Sequence, residues 1–301
     1  MTKRVLLTGA NGQIGTWLYQ RLREDTQYEL FAFNRTELDI TDESLVKQLM
    51  ATVKPDVVIN AAAYTAVDKA ESEVDKAMQV NVEGVKYLAQ AAKQHDALLV
   101  HLSTDYVFRG DSDVPYVEQD KPSPLTHYGR SKWLGEEAVI AESPAYIILR
   151  TAWVFGEYGH NFVKTMLRLG AERTHLNIVN DQLGGPTYAG DIVNAILVIL
   201  QRYFTDGSRI KSGIYHFTGI PYMSWYDFAK AIFIEAVAQG VLQQAPTVSA
   251  ISSAAYPTPA QRPANSRLAL DKIAKDFGIA PSDWQAALQQ VISDYKKKIQ
   301  E

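Results

Sequence analysis

The chain has 301 residues, of which 47% are hydrophobic and 21% are charged, the ordinary balance of a globular protein with a sizeable core. Lys and Arg number 30 against 34 Asp and Glu, and because nucleic acid needs a cationic face, we expect no nucleic-acid partner. The absence of cysteine excludes disulfides and thiolate chemistry. No signal-peptide core or membrane-spanning run is found, so we predict no membrane contact and a cytoplasmic location.

The first half of the chain alternates short apolar runs with longer helix-like stretches. The runs are Val5–Leu7, Glu29–Phe33, Val57–Ile59, Leu98–Val100 and Tyr146–Leu149. Continuous runs rich in Val, Leu and Ile are typical of strands that are covered on both faces. Helices between such strands require parallel pairing with right-handed crossovers. The pattern therefore predicts a doubly wound, mostly parallel α/β sheet of the Rossmann type, which forms a dinucleotide-binding domain over residues 1–150.

The second half of the chain is less regular. Its predicted helices and strands are Phe162–Glu172, Leu176–Val179, Asp191–Tyr203, Ile214–Phe217, Trp225–Gln239 and Trp284–Lys297. Prolines at 257, 259 and 263 favour an extended loop. We predict that residues 151–301 form a smaller α/β lobe that mainly binds substrate, and that some of its segments return to the first domain.

A glycine loop follows the first predicted strand and opens the first predicted helix. Gly9, Gly12 and Gly15 have the spacing G-x-x-G-x-x-G, one residue longer than the usual dinucleotide fingerprint. Glycine lets backbone N–H groups approach a pyrophosphate, and the helix N-terminus adds partial positive charge. An ordinary glycine turn is the alternative, but the position after the first strand favours a nucleotide site.

The end of the second strand indicates which dinucleotide binds. An acidic residue here would bind the ribose 2′-hydroxyl of NAD, whereas this strand ends in Phe33-Asn34-Arg35. Arg35 is suited to a 2′-phosphate, which favours NADPH. Asp39 lies close by in the sequence and keeps NADH open as an alternative.

A candidate catalytic group follows the fourth strand. Tyr128 and Lys132 have the spacing Y-x-x-x-K, which places a phenol and an ammonium one turn apart on a helix. A cation close to a tyrosine stabilises the phenolate and lowers its pKa, which makes proton exchange with a carbonyl feasible. Thr104, at the predicted strand end, is suited to bind the same substrate oxygen. The tyrosine–lysine pair alone would be expected by chance; with the glycine loop, chance is a poor explanation.

These residues resemble the extended short-chain dehydrogenase/reductase family, and the resemblance covers the whole chain. Within the family, it narrows to reductases of nucleotide sugars. The segments that carry the resemblance are residues 60–71, 103–108, 150–156, 161–166, 181–187 and 262–268. The last three are distinctive because family members differ most in the substrate lobe.

The resemblance implies that NADPH, or NADH, delivers hydride to the C4 keto group of dTDP-4-dehydro-β-L-rhamnose and gives dTDP-β-L-rhamnose. Tyr128 would donate a proton to the developing alkoxide. Lys132 would lower the pKa of Tyr128 and bind the nicotinamide ribose. Thr104 and Asp105 would position the sugar, and Trp153 would pack against it.

The resemblance also implies cofactor contacts along the strand ends. These would be Gly12, Gln13 and Ile14 under the pyrophosphate, Asp39 and Ile40 near the adenine, and Ala61, Ala62, Ala63 and Thr65 along the cofactor. Arg262 and Asn265 are candidates for contacts at the diphosphate end of the sugar nucleotide, where a guanidinium suits paired phosphate oxygens.

The sequence departs from some family members at one position, and two other functions are alternatives to a reductase. Some family members form dimers through a metal held by acidic residues, one of them in the first helix. Thr16–Tyr19 offers no carboxylate at that position, so we expect no metal and leave a homodimer open. One alternative is a nucleotide-sugar epimerase or dehydratase, although Tyr106 stands where dehydratases tend to have Glu. The other is a non-catalytic, NADP-binding regulatory subunit of the same fold.

Overall fold

The computed structural model describes residues 2–206 and 211–300, and its central feature is a six-stranded parallel sheet. The strands lie in the order β2, β1, β3, β4, β5, β10. Their bounds are β1 Lys3–Thr8, β2 Tyr28–Phe33, β3 Val57–Asn60, β4 Leu98–Thr104, β5 Tyr146–Thr151 and β10 Gly213–His216. The predicted doubly wound α/β fold is confirmed, because all five runs in the first half form neighbouring parallel strands.

Helices cover both faces of this sheet. The helices that pack on the main sheet are α1 Gln13–Glu24, α2 Glu43–Val53, α5 Gly84–Gln94, α6 His127–Glu142, α8 Ala189–Asp206 and α10 Asp271–Phe277. Two short helices, α3 Val67–Ala70 and α4 Val74–Met78, contact α6. On one face, α1, α8 and α10 bury Leu18, Ile196 and Phe277 against the strands. On the other face, α2, α5 and α6 contribute Met50, Leu88 and Val139. Strands covered on both faces explain the uninterrupted apolar runs of the sequence.

A second, smaller core belongs to the latter half of the chain. Its elements are α7 Phe162–Glu172, α9 Trp225–Ala238 and α11 Trp284–Gln300, with short strands β6 Val154–Phe155, β7 His175–Val179, β8 Leu183–Gly184, β9 Thr187–Tyr188, β11 Met223–Ser224 and β12 Thr247–Ile251. The short strands pair two by two: β7 with β12, β8 with β11, and β6 with β9. Phe228, Phe233 and Trp284 are buried between these helices and strands. This lobe supplies one wall of the candidate site.

The chain returns to the first domain within its second half. The run expected at Ile214–Phe217 is β10, and it pairs with β5 in the main sheet, Ile214 opposite Ile148. Helix α8 packs on α1, on the same side of the sheet. Periodicity could not reveal this return, because an apolar strand looks the same whichever sheet it joins. Among the described residues, no helix is long and apolar enough to cross a membrane.

Candidate active site

The glycine loop between β1 and α1 forms a cradle that side chains would fill. Gly9 has φ +69°, and a Cβ there would lie 2.6 Å from the backbone of Ala61 and Ala62. A Cβ at Gly15 would lie 2.0 Å from the Gly9 carbonyl oxygen. Helix α1 begins after Gly12 with no side-chain cap and no acidic residue in its first turn. Free N–H groups at an uncapped, acid-free helix start suit a phosphate group, so the loop fits a dinucleotide.

A cleft of about 390 Å³ opens above this loop at the carboxyl ends of the strands. Of the predicted cofactor residues, those that line it are Gly9, Gly12, Arg35, Asp39, Ile40, Ala61, Ala62 and Ala63. Tyr64 and Val80 also line it and were not predicted. In open parallel sheets, ligands bind in crevices at the carboxyl ends of the strands, as this cleft does.

Six predicted cofactor residues do not line the cleft: Tyr128 and Lys132, which lie on α6, and four others. Gly15 is buried beneath the loop, and Ile14 packs against the sheet core. The Gln13 amide is turned towards the second lobe, where its Oε1 accepts from Asn161 Nδ2 at 2.8 Å and its Nε2 donates to Val154 O at 3.3 Å. Thr65 is exposed. The side chain of Gln13 therefore links the phosphate loop to the substrate lobe.

The cofactor cleft ends at an exposed ion pair between Arg35 and Asp39. Arg35 Nε lies 3.4 Å from Asp39 Oδ2, and the Arg35 side chain is 70% exposed. Partial burial acts to raise the pKa of Asp39, but hydrogen bonds from Thr41 and the Arg35 charge outweigh it and lower that pKa. Because a surface ion pair is weak, the exposed guanidinium can exchange the carboxylate for a phosphate at little cost.

We expect Arg35→Ala to discriminate between the two cofactors. Loss of a charge-assisted contact to the 2′-phosphate should weaken NADPH binding by about tenfold or more, while NADH binding changes by less than about twofold. Fluorescence titration with each nucleotide measures both constants. Arg23→Ala is the matched control, since Arg23 is an exposed arginine paired with Glu24. Equal losses for both nucleotides would refute the 2′-phosphate contact.

Helix α6 presents the candidate catalytic side chains. Two of its small residues, Gly129 and Ser131, contact neighbouring elements. Thr126 caps the helix, its Oγ1 accepting from the Gly129 N–H at 3.0 Å. A Cβ at Gly129 would lie 2.2 Å from the Tyr106 carbonyl oxygen, so glycine allows α6 to contact the 3-10 turn after β4. On the other side, buried Asn81, in a π-helical turn, donates to Ser131 Oγ at 2.9 Å. Single π-helical turns are frequent at functional sites.

Tyr128 lies in the first turn of α6 and is 8% exposed. Its ring packs edge-on against Tyr106, with 5.5 Å between centroids, and a hydrogen bond joins it to the Thr104 side chain. Burial raises the pKa of Tyr128 above its ordinary value, and the bond to Thr104 only partly opposes this. The phenol therefore holds its proton at neutral pH.

The expected lowering of the Tyr128 pKa by Lys132 is not found. Lys132 is 2% exposed, and its Nζ donates to the Leu102 carbonyl at 2.7 Å and lies 3.4 Å from His101 Nε2. Because the Lys132 ammonium is turned towards β4, burial is the largest effect on the pKa of Tyr128. Burial also lowers the pKa of Lys132 itself to about 8, against the opposing charge of Glu136. The two residues lie one helical turn apart, but the Lys132 charge is not among the causes of the Tyr128 pKa shift.

Asp105 follows Thr104 in the 3-10 turn and is 4% exposed. Its Oδ1 accepts from Thr104 Oγ1 at 3.0 Å. Burial raises the pKa of Asp105 from 3.8 to about 6, although hydrogen bonds from Ser266 and Thr104 act in the opposite direction. The carboxyl group therefore changes charge close to neutral pH.

Asp105→Asn should change how the free energy of unfolding depends on pH. Below the ordinary pKa, Asp105 is protonated in both the folded and unfolded states and contributes nothing. As the pH rises towards about 6, the unfolded state ionises first, so wild-type stability falls by about 3 kcal/mol. Urea unfolding at pH values from about 4 to 7 should show the variant gaining stability over wild type by this order. A difference that is constant with pH would contradict the raised pKa.

A second cavity, of about 190 Å³, lies beside Asp105 and Tyr106, and we call it the aromatic cavity. Trp153 and Trp225 form one wall and stack with 3.5 Å between centroids. Trp153 has φ +50°, an uncommon backbone conformation for a bulky side chain, and a Cβ at Gly184 would lie 2.4 Å from its ring. A strained residue held by its surroundings at a cavity wall is typical of a ligand site. The remaining lining residues are Gln182, Pro263 and Ser266.

Arg262 and Asn265, the expected diphosphate contacts, both form hydrogen bonds with other parts of the chain. Arg262 Nη2 donates to Asp68 Oδ2 at 2.7 Å, and this bond connects the proline-rich loop to α3. The Asn265 amide donates to Val114 O at 2.8 Å and accepts from Arg267 Nε at 2.7 Å. Both side chains thus hold the proline-rich loop in place, and neither lines the aromatic cavity. Their contact with a diphosphate stays a prediction.

Several site residues escaped the sequence analysis. Trp225, Gln182 and Ser266 come from segments far apart in the chain, and only the folded lobe brings them together. His101 had a usable signal: it is a polar residue inside the apolar run of β4. Buried polar side chains within strands are seldom there without a hydrogen-bonding role.

Two other places in the described ranges bear less on the site. A cleft of about 690 Å³ lies at the opposite, amino-terminal edge of the sheet, lined by Lys3, Asp56 and Pro144, and therefore away from the catalytic side chains. Within residues 2–206 and 211–300, no three or more His, Asp or Glu side chains cluster so as to hold a metal ion.

The doubly wound sheet, the glycine loop below a cleft, and the Tyr128–Lys132 helix turn beside Thr104 define a member of the extended short-chain dehydrogenase/reductases. Comparison with known proteins supports a narrower assignment. The model of the RmlD substrate binding domain family matches residues 3–297. The chain belongs to this family, which confirms the resemblance seen in the sequence.

Relatives with a named function match this chain over nearly its whole length. The chain is 54% identical over 288 residues to a dTDP-4-dehydrorhamnose reductase of Aggregatibacter actinomycetemcomitans, a match that covers 96% of this chain and 98% of the relative. The crystal structure of such a reductase from Clostridium acetobutylicum is similar, with a TM-score of 0.90 and 37% identity over 97% of this chain and 99% of that one. The Bacillus anthracis enzyme, solved in complex with NADP, has a TM-score of 0.88 and 37% identity over 98% and 100% of the two chains.

Proposed function

We propose that this chain is an NADPH-dependent reductase that converts dTDP-4-dehydro-β-L-rhamnose to dTDP-β-L-rhamnose. The observation that carries the proposal is the position of Tyr128. It packs in one cluster with Tyr64, which lines the cofactor cleft, and Tyr106, which lines the aromatic cavity. A proton donor therefore stands between the place for a dinucleotide and the place for a sugar. The names of the relatives supply the identity of the sugar nucleotide.

The protonation state of Tyr128 suits reduction. NADPH, when bound, supplies the hydride. Tyr128 then has to give a proton to the sugar oxygen, and its raised pKa means that the phenol carries this proton at neutral pH. Thr104, hydrogen-bonded to Tyr128, positions the same oxygen. Lys132, anchored on β4, has a side-chain nitrogen with N–H groups left for the nicotinamide ribose.

We assign the sugar to the cavity beside Asp105. The stacked indoles of Trp153 and Trp225 offer an apolar face to a deoxysugar ring, and Asp105, Gln182 and Ser266 supply polar groups at its edge. Residues 1–150, with the returning β10, would hold the dinucleotide, and most of residues 151–301 would hold the sugar. Stable binding of a sugar nucleotide at the cavity needs both parts.

The alternatives have less support. A dehydratase tends to use Glu after Thr-Asp, and here Tyr106 occupies that place, where burial raises its pKa to about 12. A regulatory subunit would not need a buried, hydrogen-bonded Tyr128. The cysteine-free composition agrees with a reducing compartment, and we propose the cytoplasm; the oligomeric state stays open between a monomer and a homodimer.

The test of the function is NADPH oxidation by purified protein on addition of enzymatically generated dTDP-4-dehydro-β-L-rhamnose, with NADH in parallel. We expect rapid oxidation that depends on the sugar nucleotide, and faster turnover with NADPH. Cofactor that stays bound in oxidised form through gel filtration would favour an epimerase. Absence of turnover together with a stable complex with another enzyme would favour the regulatory subunit.

A further inference from the structure

Gln182 is a buried amide on the wall of the aromatic cavity. It immediately precedes β8 and is 8% exposed. Its backbone is held on both sides. Before it, the Asn180 N–H donates to Ile251 O at 3.0 Å, and after it, the Leu183 N–H donates to Ala264 O at 2.8 Å. A buried amide on a fixed backbone costs free energy unless its polar atoms find partners, so both ends of this side chain need an explanation.

One end of the Gln182 amide is held by a serine. A 3-10 turn, Ser253–Ala255, follows β12, and Gln182 Nε2 lies 2.8 Å from Ser253 Oγ. Ser253 is in turn held by Asp181: Oδ1 lies 2.6 Å from Ser253 Oγ, and both carboxylate oxygens accept from the Ser253 backbone N–H at 2.9 Å. The three side chains form one hydrogen-bonded chain from an exposed carboxylate to the aromatic cavity.

The direction of these hydrogen bonds fixes which way the Gln182 amide faces. Partial burial acts to raise the pKa of Asp181, but hydrogen bonds from Ser253 outweigh it and lower that pKa. The carboxylate is therefore ionised at neutral pH and only accepts, so the single hydroxyl proton of Ser253 goes to Asp181. Ser253 Oγ has only lone pairs left for Gln182. The atom of Gln182 that faces Ser253 therefore has to be the amide nitrogen, which donates.

The other end of the amide, the carbonyl oxygen, is left for the cavity. Among the described residues, Gln182 Oε1 has no hydrogen-bond partner, and unlike Asp105 Oδ2 it is not closed off from solvent. The Ser266 hydroxyl, on the same cavity wall, is hydrogen-bonded to Asp105. Gln182 Oε1 is thus an acceptor, held in one orientation, with no partner in the folded chain.

We propose that Gln182 is a specificity-determining residue: its Oε1 accepts a hydrogen bond from a ring hydroxyl that the reaction leaves unchanged, the C2 or the C3 hydroxyl of the sugar. This inference rests on the proposed reductase function. An amide oxygen accepts from a hydroxyl but repels a ketone oxygen, because neither oxygen carries a proton. Gln182 therefore turns the C4 ketone away from itself and towards Tyr128, which can donate. Asp181 and Ser253 are positioning residues that act through Gln182.

The first experiment tests the amide orientation in the protein without ligands. Each glutamine of ¹⁵N-labelled protein gives a pair of side-chain NH₂ signals, and Gln182→Met identifies the pair of Gln182 by its loss. Because one Nε2 proton is donated to Ser253, we expect it to exchange with solvent about tenfold more slowly in wild type than in Ser253→Ala. Ser252→Ala is the matched control, since the Ser252 side chain does not cap the turn. Equal exchange in wild type and Ser253→Ala would overturn the proposal.

The second experiment measures recognition of the hydroxyl by calorimetric titration of the complex with NADP⁺. The ligands are dTDP-β-L-rhamnose and its 2-deoxy and 3-deoxy analogues. Wild type should bind one of the two analogues about tenfold more weakly than dTDP-β-L-rhamnose, because a buried acceptor then loses its donor. Gln182→Met keeps the length of the side chain without the acceptor, so it should bind that analogue and dTDP-β-L-rhamnose within about twofold of each other. Equal affinities for all three ligands in wild type, or a preference that Gln182→Met retains, would overturn the proposal.

Two variants of Ser253 test the positioning, and they serve equally if Gln182→Met does not fold. Ser253→Ala keeps the backbone bond to Asp181 but lets the amide turn its nitrogen to the cavity, so the preference for the hydroxyl should fall to about threefold or less. Ser253→Thr retains a hydroxyl and should keep the wild-type preference. An unchanged preference in Ser253→Ala would contradict the positioning role.

The two experiments separate this inference from the proposed function. If wild type bound none of the three ligands, the proposed function and the sugar contact would both be wrong. The exchange measurement uses no ligand, so it decides the orientation of the Gln182 amide in either case.

Discussion

Tyr128→Phe should lower kcat by about a thousandfold and leave NADPH affinity within about twofold of wild type. Loss of a general acid typically removes a factor of this order, and the phenyl ring keeps the edge-on contact with Tyr106. Only the proton donor and its hydrogen bond to Thr104 are lost. Steady-state kinetics with the sugar nucleotide and a fluorescence titration with NADPH measure the two quantities.

A matched control separates this effect from the loss of any tyrosine hydroxyl. Tyr203→Phe removes the same atom at the amino-terminal edge of the sheet, beside the larger cleft, and should leave kcat unchanged. If Tyr128→Phe retained wild-type turnover, Tyr128 would not be the acid. A parallel loss of NADPH binding would instead indicate a structural role.

Glu136→Gln should destabilise the fold by about 3–5 kcal/mol, the largest effect on stability that we expect from a single substitution. Glu136 and Arg150 are each 1% exposed and form a bidentate pair at 2.8 and 2.6 Å, and Ser103 Oγ donates to Glu136 at 2.5 Å. Substitution leaves the Arg150 charge buried without a carboxylate, and removing one member of a buried pair costs far more than the pair contributes. Urea unfolding measures the change.

Two further variants check the reason for this loss. Glu43→Gln breaks the exposed pair with Lys47 and should change stability by less than about 1 kcal/mol. Arg150→Met combined with Glu136→Leu removes both charges and should restore much of what Glu136→Gln loses. A loss of less than about 1 kcal/mol in Glu136→Gln would show that water reaches the pair.

The main sheet was predictable because its signal is local. Runs such as Val57–Ile59 are apolar throughout, and a strand covered on both faces leaves no other pattern. The position of β10 was not predictable in this way, since its pairing with β5 depends on a crossover through the second half. Helix ends were predicted within a few residues where caps are clear, as at Asn161 before α7.

In the candidate site, too, the features that depend on local sequence were predictable and those that depend on tertiary contacts were not. Tyr128 and Lys132 lie together because helix geometry alone brings residues four apart to one face. Their electrostatics do not follow from spacing, since the Leu102 carbonyl, a main-chain atom of another element, draws the Lys132 nitrogen away. Arg262 carries a contact that spacing does not reveal: its Nη2 donates to Asp68, nearly 200 positions away, and its contact with a diphosphate stays a prediction. Sequence identifies the groups that carry chemistry, and tertiary contacts decide which of them are available.

The central claim is that hydride passes from NADPH to C4 of the sugar while Tyr128 protonates the oxygen. Turnover with NADPH deuterated at the transferring position of the nicotinamide C4 tests it directly, with the sugar product analysed by NMR. The account predicts one deuterium per product, bound at C4 of dTDP-β-L-rhamnose, and almost none from Tyr128→Phe. Deuterium at another carbon, or NADPH oxidation without deuterium in the sugar, would contradict it.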